Sequence, residues 1–279
     1  MKLKIYSIIF FVFLCVKSWA GTTPLFLYKY TENVALMPSL AGYNGGSIYL
    51  SHQLNYVGFE NSPSQTLLGF NMLKGKDRLG FGLNLMNQTG FSLDEMHVTI
   101  PIAYYVPLNQ KLKLSFGLSA NYFNRQLTNQ FIEDIDDPEL ANAQGGFYDM
   151  SFSTSLHHKS FIIGTAFNNL NTLTNETQGL NGYFTTFIKA NIPLVNEYDR
   201  IELANTFIYD LNGDMIWNTQ AFYEIIENVI IGGGYSSNKS IISSLGISYK
   251  NRWLIGYGYY YNVGAFSSYF KNSHELTLK

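Results

Sequence analysis

The stretch Arg252-Trp-Leu-Ile-Gly-Tyr-Gly-Tyr-Tyr-Tyr-Asn262 decides the fold. In an extended chain successive side chains point to opposite faces, so Trp253, Ile255, Tyr257, Tyr259 and Tyr261 share one side. Leu254, Gly256, Gly258 and Tyr260 share the other. One face is broad and apolar; the other is mostly small. The length is about what a tilted strand needs to cross a bilayer. A soluble sandwich would have to cover the large face with a second sheet. In the wall of an outer-membrane barrel, lipid covers it and aromatic residues gather near the interfaces.

The pattern repeats along the chain. Strands are predicted at 47–57, 65–73, 78–87, 95–106, 111–124, 147–156, 161–168, 182–193, 200–210, 215–224, 228–237, 240–250, 252–262 and 272–279. Leu79, Phe81, Leu83 and Leu85 oppose Gly80, Gly82 and Asn84. Leu112, Leu114, Phe116, Leu118 and Tyr122 oppose Lys113, Ser115, Gly117, Ser119 and Asn121, and Leu245, Ile247 and Tyr249 oppose Ser244, Gly246 and Ser248. Small and polar residues on the second face suit a barrel interior. The fold class is therefore all-β, an outer-membrane β-barrel of about 14 antiparallel strands, with both termini on one side.

The connections point the same way. Short turns such as Lys74-Gly-Lys-Asp77 and Pro107-Leu-Asn-Gln110 alternate with longer links, the longest over Arg125–Gly146, Asn169–Asn181 and Val263–Lys271. Short periplasmic turns and longer outside loops are the barrel habit. The links near Asn212-Gly213 and Ser237-Asn238 depart from it by being short.

The first 20 residues read as a signal peptide. Lys2 and Lys4 precede the apolar run Ile5–Val16, and Ser18-Trp-Ala20 forms a small-x-small cleavage site. Cys15, the single cysteine, lies inside that run, flanked by Leu14 and Val16 rather than by the small residues of a lipoprotein site. A mature chain without cysteine has no disulfide or thiol chemistry. Loss of the leader takes Lys2, Lys4 and Lys17 with it, making the net charge more acidic than −2 and arguing against nucleic-acid binding. With 21 Tyr, 21 Phe and only 14% charged residues, the composition is unusual for a soluble domain. Residues 21–46 contain Pro24 and Pro38, little alternation and a glycine-rich exit, and are expected to be periplasmic or packed in the lumen; 47–279 form the barrel.

Few residues suggest chemistry. Glu133-Asp-Ile-Asp-Asp-Pro-Glu139 lies in the longest outside loop and could hold Ca²⁺ or a basic partner face, yet it lacks the Asp-x-Asp-x-Asp-Gly spacing of a calcium loop. A solvated acidic loop is the plainer reading. His157 and His158 point oppositely on a strand and make poor joint metal ligands. Ser92, Asp94 and His97, and the pair Ser51-His52, are the sequence-local sets a hydrolase would need. Serine is common here, so such coincidences are expected. Gly232-Gly-Gly234 and Gly256-x-Gly258 precede no phosphate-binding helix and read as strand glycines that ease curvature or make room inside. Tyr104-Tyr105 and Tyr259-Tyr-Tyr261 read as interfacial girdles. No enzyme activity, cofactor or metal is expected. Interior faces carry many Gly, Ser and Asn and few charged rings, so ion selectivity is not indicated.

Two segments carry a resemblance. Met37-Pro-Ser-Leu-Ala-Gly-Tyr43 is similar to the Asn-Pro-Ala-Tyr-Ala-Gly segment near the mature N-terminus of the PorP/SprF family. His52-Gln-Leu-Asn-Tyr-Val-Gly-Phe-Glu-Asn-Ser-Pro-Ser-Gln-Thr66 resembles its Arg-Gln-Gln-Trp-x-Gly-Phe-x-Gly-Ala-Pro-x-Thr-Gln stretch, with Tyr56 in place of Trp and His52 in place of Arg. Gly80-Phe-Gly-Leu83 and Ser273-His-Glu-Leu276 also fit the family. The resemblance implies an outer-membrane component of type IX secretion and gliding machinery. It would be non-enzymatic, embedded in outer-membrane lipid and partnered by the secretion machinery and an exported surface protein. Tyr56, Phe59, Glu133, Asp134, Asp136 and Asp137 are the expected partner-binding residues on the outer rim. A channel for small solutes or lipid-like ligands is the alternative.

Overall fold

The computed structural model describes residues 26–58, 62–75, 78–90, 93–127, 145–173, 182–194, 199–211, 213–225, 228–250, 252–264 and 272–279. Fourteen strands close into one antiparallel barrel, each paired with its sequence neighbours and the last with the first. The first seven are β1 (Gly46–Leu54), β2 (Ser64–Lys74), β3 (Leu79–Thr89), β4 (Leu93–Pro107), β5 (Leu112–Leu127), β6 (Gly145–His158) and β7 (Phe161–Asn168). The rest are β8 (Tyr183–Pro193), β9 (Arg200–Asp210), β10 (Met215–Ile225), β11 (Val229–Ser236), β12 (Ser240–Tyr249), β13 (Trp253–Asn262) and β14 (Ser273–Leu278). Leu50↔Leu278 through Leu54↔His274 form the closing ladder.

Closure follows from the solvent. A backbone N–H or C=O in hydrocarbon has no water to pair with, so strands can span only where every edge is matched. No described helix is long and apolar enough to cross a membrane; the strands do so. On β13, Trp253, Ile255, Tyr257 and Tyr261 are exposed outward, whereas Gly256, Gly258 and Tyr260 are buried inward. The expected alternation holds equally on β3, β5 and β12. By the turn-length pattern, the short links such as His158 to Phe161 mark the periplasmic end. β4, β5 and β6 are longer than expected and carry the wall outward on one side. The β4–β5 ladder runs out to Leu93↔Leu127, so the strand extends two residues past the expected loop start at Arg125.

The lumen is occupied by the chain's own N-terminal segment. Residues 26–45 enter as a short helix α1 (Tyr28–Thr31), turn through left-handed Glu32 and Asn33, and continue as a 3-10 turn at Pro38–Leu40. Val34, Leu36, Met37, Leu40 and Ala41 pack with Ala103, Tyr105, Ile162, Ala166, Phe187, Ala204, Ile208 and Ile216. Leu27 and Tyr30 pack with Phe222, Ile230, Ile242 and Tyr260, and Phe26 with Tyr49, Leu67 and Met86. Each large apolar side chain so buried contributes roughly 1.5–3 kcal/mol.

The wall is shaped for this plug. A Cβ on Gly117 would overlap the backbone at Pro38 and Ser39, and one on Gly80 would overlap the Ala41 carbonyl. Gly246 and Gly256 leave space for the Tyr30 ring, and Gly258 for Leu27. Two tyrosines expected in the girdles face inward instead. Tyr105 Oη donates to the carbonyls of Ser39 (3.2 Å) and Ala41 (2.9 Å), and Tyr260 is buried beside Glu275. Adjacent strand residues must point oppositely, so a Tyr-Tyr run gives one ring to lipid and one to the lumen.

Gly117→Val and Gly80→Val are expected to displace the plug by overpacking, at about 1–3 kcal/mol each, without opening the barrel. Hydrogen exchange at residues 37–42 should rise while heat-modified gel mobility stays that of a folded barrel. Unchanged exchange would contradict this seating.

Candidate functional site

Four buried carboxylates hold the plug. Inward positions on β9 and β10 are even-numbered, which brings Glu202 and Glu224 into the lumen. Lys29 of α1 reaches both, at 3.4 and 3.1 Å; Lys189 pairs with Glu202 at 2.8 Å and Arg200 with Glu224 at 2.8 Å. Charges away from water are tolerated only in such company. Glu32 accepts from Asn44 (2.9 Å), Ser47 (3.1 Å) and Asn71 (2.9 Å) and pairs with Lys279. Glu275 of β14 accepts the Leu27 N–H on both oxygens (3.2 and 3.1 Å), together with Ser51, Thr277 and Tyr260 hydroxyls. Burial alone would raise the Glu32 carboxyl, but the Lys279 ammonium and the Asn44 and Asn71 amides outweigh it and hold it below its ordinary 4.5.

Farther along the plug, Ser39 is gripped by the wall. Its N–H donates to Ser153 Oγ (2.7 Å), and its carbonyl accepts from Ser115 Oγ (2.9 Å). Tyr43 stacks on His157 with ring centroids 5.2 Å apart. His157 thus serves the plug, a role that neither its neighbour His158 nor a metal-ligand spacing could have suggested. The lumen charges were also missed at the sequence level. The inward parity of Glu202 and Glu224 was available; their shared partner Lys29 was not, because it lies in a segment without alternation.

At the outer rim, Tyr56 follows β1 in the left-handed region (φ 54). Its N–H donates to Ser273 Oγ (3.1 Å), its carbonyl accepts from Ser62 Oγ (3.0 Å), and the next N–H, of Val57, donates to the Asn272 carbonyl (2.9 Å). The β1–β2 loop is therefore tied to the start of β14. Burial raises the Tyr56 hydroxyl pKa. Phe59, Glu133, Asp134, Asp136 and Asp137 lie outside the described residues. Below the acidic loop, the outward extension of β4 and β5 places Glu95, His97 and Arg125 together on the lumen face, with Arg125 Nε 2.5 Å from Glu95.

The hydrolase sets do not converge. Asp94 and His97 stand on opposite faces of β4, and Ser92 lies outside the described residues. Ser51 points inward to Glu275, whereas His52 points outward to Thr66 (2.9 Å). Among the described residues, no group of three His, Cys, Asp or Glu could hold a metal ion.

The family pattern described as type IX secretion system membrane protein PorP/SprF matches residues 21–279. The chain belongs to the PorP/SprF family. No curated protein matches it in sequence. Among solved structures, Omp33 of Acinetobacter baumannii superimposes with a TM-score of 0.52 at 6% identity, covering 84% of this chain and 96% of that one. The Pseudomonas putida toluene transporter TodX gives 0.51 at 10% identity, covering 89% and 92%. At such identities these show the barrel fold alone. A PorP/SprF chain closed into this barrel is an outer-membrane protein associated with the type IX secretion machinery.

The PorP/SprF-like segments concentrate on one device. Met37–Tyr43 is the part of the plug gripped by β4, β5 and β6; Gly80 seats Ala41; and Glu275, within Ser273–Leu276, accepts the Leu27 N–H. Only His52–Thr66 leads away, to the outer hairpin.

The Glu32 contact gives this PorP/SprF plug an acid sensitivity. Because the folded carboxyl titrates below the unfolded 4.5, its stabilisation is complete above that value and fades as pH falls through the folded one. Hydrogen exchange of residues 30–42 should therefore accelerate in acid. Lys279→Met should cost about 1–3 kcal/mol and move the acceleration to higher pH. A pH-independent plug would refute the assignment.

Proposed function

We propose that this PorP/SprF protein works by binding, its outer rim holding an exported surface protein while the periplasmic side meets other parts of the type IX machinery. Family membership over residues 21–279 carries the secretion role. The plug favours binding over conduction, since apolar contacts spread from β1 round to β13 occupy the lumen where a solute path would run. A rigid wall with loops at its outer end is a suitable platform for a partner. The hydrogen bonds at Tyr56 and Val57 fix the start of the β1–β2 loop against β14, which lowers the ordering cost of binding there. The acidic residues Glu133, Asp134, Asp136 and Asp137 supply charge complementary to a basic partner face. A link to gliding belongs to the same reading.

The test is a mild-detergent pull-down from outer membranes, comparing the native chain with Glu133→Ala/Asp134→Ala/Asp136→Ala/Asp137→Ala and with Tyr56→Ala. Recovery of a surface protein should fall at least about tenfold in the acidic-loop variant, equal to 1.4 kcal/mol, with barrel assembly unaltered. Equal recovery would remove the acidic loop from the interface. In planar bilayers the native protein should show no steady conductance; a stable open channel would overturn the binding reading in favour of solute transport.

A further inference from the structure

On the periplasmic rim the ladder pairing of the described residues is incomplete beside β1. β2 pairs β1 from Gly46 upward, whereas the β14 ladder reaches β1 only at Leu50. One edge of Gly46–Tyr49 therefore has no ladder partner among the described residues. At this seam, on the periplasmic rim, lies a cavity of about 1280 Å³.

Its lining combines two surfaces that a closed wall keeps apart. Ile48, Leu50, Phe70, Ile255 and Leu278 belong to the outward, lipid-facing side. Lys29, Lys189, Arg200, Arg252 and Lys279 supply five basic groups against three acidic ones, Glu32, Glu202 and Glu224. The acids are already neutralised by Lys29, Lys189, Arg200 and Lys279. Arg252 makes no ion pair among the described residues and is exposed. It sits in a turn with interfacial character: Trp253 is 69% exposed, and Lys250 lies over the Tyr249 ring at 5.1 Å. Aromatic rings of this kind mark the headgroup level of a bilayer.

We infer that this seam cavity binds a phosphate-bearing diacyl lipid of the periplasmic leaflet. The headgroup phosphate sits on Arg252, and an acyl chain lies along Ile48, Leu50, Phe70, Ile255 and Leu278. The guanidinium is suited to the phosphate because its donors match two oxygens at once. The apolar strip follows the outer surface, so the chain stays in the bilayer while the headgroup turns inward. Filling the seam with lipid also covers a stretch of unpaired strand edge.

The protein, purified in detergent, is mixed with dioleoylphosphatidylglycerol, with dioleoylglycerol or with excess inorganic phosphate, and each sample is examined by native mass spectrometry. Retention of one phosphatidylglycerol, with no retention of dioleoylglycerol, is expected. Arg252→Ala should lower that retention at least about tenfold, Arg252→Lys should preserve part of it, and Ile48→Ser should weaken it with the headgroup contact intact. Heat-modified mobility monitors folding in every variant. Equal retention by Arg252→Ala, or equal retention of dioleoylglycerol, would overturn the site. Saturable inorganic phosphate binding that needs Arg252 but is accompanied by no lipid would overturn the lipid assignment and leave a free-phosphate site.

Discussion

Every feature of this protein descends from the need to pair backbone groups where no water is present. Hydrocarbon forces the strands to close on one another, and closure at fourteen strands encloses a lumen too wide for the wall's own side chains to fill. Something must occupy that space or water will. Here the chain supplies its own filler, and the inner wall is cut to match it by glycines placed where the plug's backbone and rings press closest.

The plug is held by two kinds of force with different reach. Apolar packing at Met37–Ala41 and Leu27–Tyr30 supplies the bulk of the attraction but little direction. Direction comes from Glu32, Glu202, Glu224 and Glu275, each of which fixes a different part of the segment through geometry that tolerates little displacement. A buried carboxylate that loses its partner is far worse off than a leucine that slides. The charges therefore select one plug position among the many that an apolar lumen would accept.

The wall was legible because alternation is a direct consequence of the strand repeat. Tyr257 and Gly258 declare their faces from sequence alone, and the strand order follows from turn lengths. The plug's interior was not legible, since Leu27–Tyr43 has neither a strand period nor a long helical one. Its contacts are set by residues far away in sequence, as when Ser39 meets Ser153 or Lys29 meets Glu224. The tyrosine pairs show the boundary well. Tyr105 obeys the alternation rule, yet only the folded lumen reveals that it serves the Ser39 and Ala41 carbonyls. At the rim, the hairpin containing Tyr56 could be marked from its resemblance to the family, but its tie to Ser273 required the seam to be seen closed.

That tie, and the bond between Leu27 and Glu275, span 217 and 248 residues of sequence. Contacts so distant form late, because loop entropy must be spent before they can reward it. The first anchor of the plug thus comes into existence only when β14 arrives beside β1. A barrel that has not yet closed lacks this anchor at the start of the plug, whatever already holds Met37–Tyr43; a finished one has it. Assembly completes a structural sentence whose first word is read last, and the accessibility of Leu27 distinguishes an unfinished barrel from a mature one.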